Sequence, residues 1–225
     1  AGAGGDAGRS GGAAPAADAG AGGLLIDIPA LRETLDRDGV ARLPGLLDVS
    51  QLADVTEAYE WTREHRSPAF TTMGGDDRSW QDLSNPESYA AYPVSRESTL
   101  EYCLGSHRGP LFNGTSFKPD DPTDPFYKTG QLPRLPDIQA DRSGWRIEGW
   151  ATQPGDVVLF HPSVLHGGGS PGMAGRRRTL TLRFFGSDAT FCARPGPTAA
   201  PRVPGLHEAL RDGDPFRHPL FPLVA

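Results

Sequence analysis

The sequence predicts a mainly β fold with flanking helices, and three features point there. Short apolar runs follow turn signals, most clearly where Pro154-Gly155 precedes Val157–Phe160. Across residues 179–185, Leu180, Leu182 and Phe184 alternate with Thr179, Thr181 and Arg183, the period-two pattern of a strand with one buried face. Twenty-nine glycines and 22 prolines in 225 residues demand many turns, while sustained helical spacing is confined to the first third of the chain. A chain of this length is large enough for one sizeable core, and β barrels of this size are commonly one domain, so residues 24–225 are read as a single domain.

Taken in order, residues 1–23 are almost entirely Ala, Gly and Asp and offer too little apolar area to offset ordering, so they read as a disordered tail. Asp27 is a helix N-cap, Pro29 sits in the first turn, Leu31 and Leu35 share a face, and Gly39 is the stop. Residues 40–46 read as a strand. Asp48 and Gln51 form a D-x-x-Q capping box, and Leu52, Val55, Tyr59 and Thr62 then keep helical spacing. From His65 to Tyr92 the pattern breaks down. Asp76, Asp77 and Asp82 there read as solvated loop acids, the other reading being a metal carboxylate. Residues 98–104 form a strand with Cys103 as a small buried hydrophobe. Gly105-Ser106 is a turn, and His107 reads as a structural histidine bonding its backbone. Residues 113–144 are a Pro- and Asp-rich stretch of the kind that forms a lid or an insertion. Residues 145–150 form a strand with Trp145, Ile147 and Gly149 on one face. One helical turn is expected near residues 205–210, with the C-terminal tail wrapping the surface.

The densest chemistry lies between Gly149 and Phe185. A strand, the Pro-Gly turn and a second strand ending in His166 lead into Gly167, Gly168 and Gly169, which allow backbone to approach a bound group. Arg176, Arg177 and Arg178 open the last strand. The PGD turn, the apolar run, His166 followed by Gly, and an Arg about a dozen residues on resemble the phytanoyl-CoA dioxygenase family of non-haem Fe(II)/2-oxoglutarate oxygenases. LEYCLGSHRG, residues 100–109, resembles that family's strand and turn before the site. The resemblance covers the chain from about Tyr92 onward, and residues 31–61 more loosely. It implies a double-stranded β-helix (a jelly-roll, cupin-like barrel), Fe(II), 2-oxoglutarate and O2. It also implies His166 as the distal iron ligand and Arg177 as the anchor of the far carboxylate of 2-oxoglutarate. Arginine suits that anchor because its planar fork pairs bidentately with a carboxylate. In barrel oxygenases a long insertion commonly covers the mouth, which places Phe126, Tyr127 and Trp145 near a substrate.

One departure weighs against this. The family's other two iron ligands come from an H-x-D motif, implied here between about residues 85 and 98. None of the histidines at 65, 107, 161, 166, 207 and 218 has Asp or Glu two places on. The resemblance therefore implies that a block of several dozen residues is missing at that junction. Two function classes follow: an Fe(II)/2-oxoglutarate enzyme oxidising a small molecule in bacterial secondary metabolism, or a metal-free small-molecule-binding relative. An epimerase or cyclase using the same iron chemistry is a third. A net charge of −6 argues against a nucleic-acid partner. Without a membrane-length apolar run or an N-terminal signal pattern, the chain reads as cytoplasmic.

Overall fold

The computed structural model describes residues 25–66, 70–72, 80–82, 99–114, 121, 123–125, 127–128, 130, 132–168, 179–192, 205–219 and 221. The expected tail at 1–23 and the acids Asp76 and Asp77 lie outside them.

The N-terminal elements form where local chemistry predicts. Helix α1 (Ile28–Asp38) starts at Asp27, whose carboxylate accepts from Ala30 N–H at 3.0 Å, and ends at Gly39 in the left-handed region. Strand β1 follows directly (Val40–Leu43), shorter than the expected 40–46. Helix α2 (Val49–Glu64) carries the full capping box, Asp48 accepting from Gln51 N–H while the Gln51 side chain accepts from Asp48 N–H. Then come β2 (Phe70–Thr72), β3 (Trp80–Asp82), β4 (Leu100–Cys103), β5 (Ile147–Gly149), β6 (Val157–Phe160), β7 (His166–Gly168) and α3 (Leu206–Ala209).

The strands pair antiparallel in three groups: β1 with β6, β2 with β3, and β5-β4-β7 with β4 in the centre. Seven short strands with flanking helices match the strand-rich expectation, and among the described residues they form separate sheets. The β1–β6 pair faces the β5-β4-β7 sheet through a core of Val40, Tyr102 and Val164, with Leu104, Trp150, Val158 and Phe160 packed on it. Cys103 is also buried, and burial pushes its thiol pKa up, as suits an inert side chain.

The Pro154-Gly155 turn is fixed from both sides. Gly155 has φ 98°, and a Cβ there would meet the Leu47 carbonyl oxygen at 2.6 Å, so glycine is required. Next to it, the Asp156 carboxylate accepts from Gln153 N–H, Gly45 N–H and the Arg42 guanidinium at 2.7–2.9 Å. Burial alone would raise this carboxyl's pKa, but those three donors outweigh it and hold the pKa below the ordinary value of 3.8. A depressed folded-state pKa stabilises the fold above the ordinary value and stops doing so as pH falls through the lower, folded-state one. Asp156→Ala is therefore expected to cost about 2–4 kcal/mol near neutral pH. The deficit should shrink below about pH 4, which urea unfolding of both proteins at several pH values would measure.

Three expectations are corrected. His166 does not end the β6 strand; it opens β7 after the turn at 161–165, because His161 N–H turns back to Gly39 O and Val164 N–H to His161 O. Residues 180–185 form no strand beyond a bridge at Thr179. Leu182 and Phe184 are 63% and 69% exposed, since a period-two segment becomes a strand only against a ladder partner, and none pairs with it among the described residues. Phe185 instead joins Phe216 and Phe221 in an aromatic cluster, with ring centroids 4.7 and 5.4 Å away. Finally, His107 does not bond the turn backbone. Its Nδ1 is shielded and unbonded, pressed against Gly39 where a Cβ would come within 2.4 Å. Ser106 makes the expected kind of bond, its hydroxyl accepting from Leu165 N–H at 2.8 Å.

The described residues of 113–144 are tied to one another and to the sheet by side-chain bonds. Buried Asn113 clamps it, donating to Tyr127 O at 2.8 Å and accepting from Tyr127 N–H at 3.0 Å. Ion pairs Lys128–Asp124 and Arg134–Asp121 hold its middle. Arg142 closes its end on Glu101 through two 2.9 Å bonds.

Candidate functional site

Register places a row of three side chains across one sheet face. Tyr102 in β4 is opposite Glu148 in β5 on one side and His166 in β7 on the other. Paired residues share a face, so all three project on the side turned to β1–β6. Ring contacts agree: Tyr102 lies 5.3 Å from Phe160, 5.9 Å from Trp150 and 6.2 Å from His166, and Phe160 lies 5.0 Å from His166. Tyr102 is 4% exposed, and burial pushes its hydroxyl pKa up to about 12, so it stays protonated at physiological pH.

His166 is exposed but rests against this aromatic bed, and its tautomer is fixed by one bond. Nδ1 lies 2.8 Å from the Val164 carbonyl oxygen. A carbonyl only accepts, so Nδ1 carries the proton, and the neutral ring keeps its Nε2 lone pair for a metal or a proton. His161, five residues earlier, is set the other way. Its Nδ1 accepts from Ser163 N–H at 3.1 Å, so in the neutral ring Nε2 bears the proton and offers no lone pair. Of the two histidines in this segment, only His166 is prepared as a ligand. Its Nδ1–H donates to a backbone carbonyl, one of the ways a metal-ligating imidazole is oriented.

A non-haem Fe(II) centre of the facial type needs two imidazoles and a carboxylate. His166 fits one of those positions. Among the described residues no group of three His, Cys, Asp or Glu could hold a metal ion, so the triad is not completed there.

The other expected site residues fall in different places. Arg177 and Phe126 lie outside the described residues, as do Arg176 and Arg178. Tyr127 is half-buried and held by the Asn113 clamp. Trp145 caps the 3-10 turn Arg142–Gly144 through its N–H, and its alternation with Ile147 and Gly149 sets it on the face opposite Tyr102 and His166. Tyr102, Glu148, Phe160 and Trp150 are the residues sequence reasoning missed. The alternation within Leu100–Cys103 marks Tyr102 as face-forming, but only the strand register reveals what stands beside it.

No protein-family model matches the sequence, and no curated protein matches it. Among solved structures the chain is similar to the epimerase SnoN in complex with Fe3+, alpha ketoglutarate and nogalamycin RO, with a TM-score of 0.54 and 16% identity over 87% of this chain and 99% of that one. It has the fold in common with that enzyme. A second structure, the non-heme alpha ketoglutarate dependent epimerase SnoN from nogalamycin biosynthesis, gives a TM-score of 0.51 at 16% identity, again over 87% and 99% of the two chains. The carbocyclase SnoK from the same biosynthesis gives 0.48 at 16% identity over 89% and 97%. No helix among the described residues is long and apolar enough to cross a membrane.

Proposed function

We propose that the chain acts as a non-haem Fe(II)/2-oxoglutarate-dependent enzyme on a small-molecule substrate in bacterial natural-product biosynthesis, in the cytoplasm. The observation that carries this reading is His166, whose Nε2 lone pair is left free by the Nδ1–Val164 bond, with the ring set against Phe160 and the buried Tyr102. The fold likeness to an epimerase bound to Fe3+ and alpha ketoglutarate supports it. In this reading His166 is a metal ligand and Arg177 anchors the far carboxylate of 2-oxoglutarate, while Trp145, Phe126 and Tyr127 belong to the substrate side. Iron with 2-oxoglutarate and O2 supplies the oxidising chemistry when bound. What the described residues themselves do is hold the imidazole in one tautomer and keep water from one face of it. Hydroxylation is the reaction we favour; epimerisation or ring closure would draw on the same residues. We propose the phytanoyl-CoA dioxygenase family as the one this chain falls in.

A second reading rests on the incomplete donor set: a metal-free relative that binds a small molecule on the same fold. Anaerobic titration of the full chain with Fe(II), with and without 2-oxoglutarate, separates the two. One equivalent of tightly held iron and a charge-transfer absorption that needs 2-oxoglutarate is the expected result. Iron no tighter than on a denatured control would overturn it in favour of the metal-free relative.

A further inference from the structure

We propose that Tyr102 is a ligand-binding residue of the His166 site, its hydroxyl donating a hydrogen bond to a carboxylate oxygen of 2-oxoglutarate. The proposal rests on the metal reading of His166. Tyr102 is the most enclosed ring of the row, 4% exposed, with Phe160, Trp150 and His166 around it. A buried tyrosine hydroxyl ordinarily finds a partner, because a polar group taken out of water without one destabilises the fold. Here nothing among the described residues hydrogen-bonds it, and burial is the one cause of its raised pKa, with no hydrogen bond or charge acting beside it. Nor is the oxygen sealed in. Among the described residues the shielded, unbonded side-chain atoms are Arg42 Nε and His107 Nδ1, and the Tyr102 hydroxyl is not one of them. A ring that only filled space would be served by phenylalanine, as at Phe160 beside it. The hydroxyl is what packing leaves unexplained.

His166 supplies the matching half. It stands opposite Tyr102 in the β4–β7 ladder, and its one hydrogen bond among the described residues is from Nδ1 to Val164 O, so Nε2 has no protein partner either. Two neighbouring groups are thus left unsatisfied on one face, a lone pair suited to a metal and an O–H suited to an oxygen acceptor. A 2-oxoacid has an end that chelates a metal and carboxylate oxygens that accept. The row's one carboxylate, Glu148, lies on the far side of Tyr102, two strand spacings or roughly 10 Å from His166 along the sheet. It already accepts from Gly149 N–H at 3.2 Å and has a further partner, and the proposal makes no use of it.

The test compares Tyr102→Phe with the parent protein, both as the full chain, loaded anaerobically with Fe(II) and titrated with 2-oxoglutarate. The expected result is equal iron affinity in the two, with 2-oxoglutarate held about tenfold more weakly by Tyr102→Phe. Equal 2-oxoglutarate affinity would overturn the proposal and leave the metal reading of His166 standing. Loss of iron affinity in Tyr102→Phe would also overturn it, since the tyrosine would then support the imidazole rather than meet the oxoacid. Iron held by neither protein would overturn the His166 reading and this proposal with it. If Tyr102→Phe fails to fold, the parent protein decides. With Zn(II) in place of Fe(II), 2-oxoglutarate should move the Cζ resonance of carbon-13-labelled Tyr102, and an unmoved resonance would sink the assignment.

Discussion

His166→Ala is expected to abolish iron binding and 2-oxoglutarate turnover while leaving the fold in place. Loss of a metal ligand should exceed the roughly 10–100-fold effect of removing a ligand's hydrogen-bond partner. The structural penalty is small by comparison. The residue is exposed, and its ring contributes one hydrogen bond to Val164 O, worth about 1 kcal/mol. Equilibrium dialysis with Fe(II), run beside circular dichroism, reads both quantities. His161→Ala is the internal comparison, since its lone pair already accepts from Ser163 N–H, and its iron affinity should match the parent's. Equal iron affinity in His166→Ala and the parent protein would remove His166 from the site.

Tyr102→Ala is expected to give the largest loss of stability, about 3–5 kcal/mol. The ring is 4% exposed and touches Phe160, Trp150 and His166, so truncation opens a cavity where the two sheets meet. Tyr102→Phe keeps the ring and should stay within about 1.5 kcal/mol of the parent protein. Denaturant midpoints of the two variants measure the difference. A Tyr102→Ala loss below about 1 kcal/mol would mean that the sheets do not pack through this ring.

What the sequence made legible was local. Asp27, Gly39, the Asp48–Gln51 box and the Pro154-Gly155 turn each satisfy or constrain backbone within a few residues, so their signals need no partner to be read. His166 was legible as a candidate because a turn, an apolar run and glycines sit around it, but its tautomer needed the Val164 carbonyl. Whatever depended on a distant strand stayed hidden. Residues 180–185 carry the alternation of a strand, yet alternation states only which side would be buried if a partner came. The Glu148–Tyr102–His166 row is a product of register, and register is written in no single segment. His107 stays hidden for the same reason: its surroundings are Gly39 and His161, far apart in sequence and brought together only by the fold.

The pairing of β1 with β6 has a consequence in time rather than in space. Arg42 and Asp156 are 114 positions apart, and the Val40–Phe160 match spans a still longer stretch of chain. On a ribosome β1 emerges long before its partner strand, and Val40 lacks its ladder partner until β6 has been made. Separations of this kind slow folding, because loop closure must precede the contacts that reward it. Helix α1, capped at both ends and contacting β1, can form early and shield the waiting strand. In the growing chain, then, α1 is a cover for its own neighbour, and the row that carries His166 has to wait for β7 to be made.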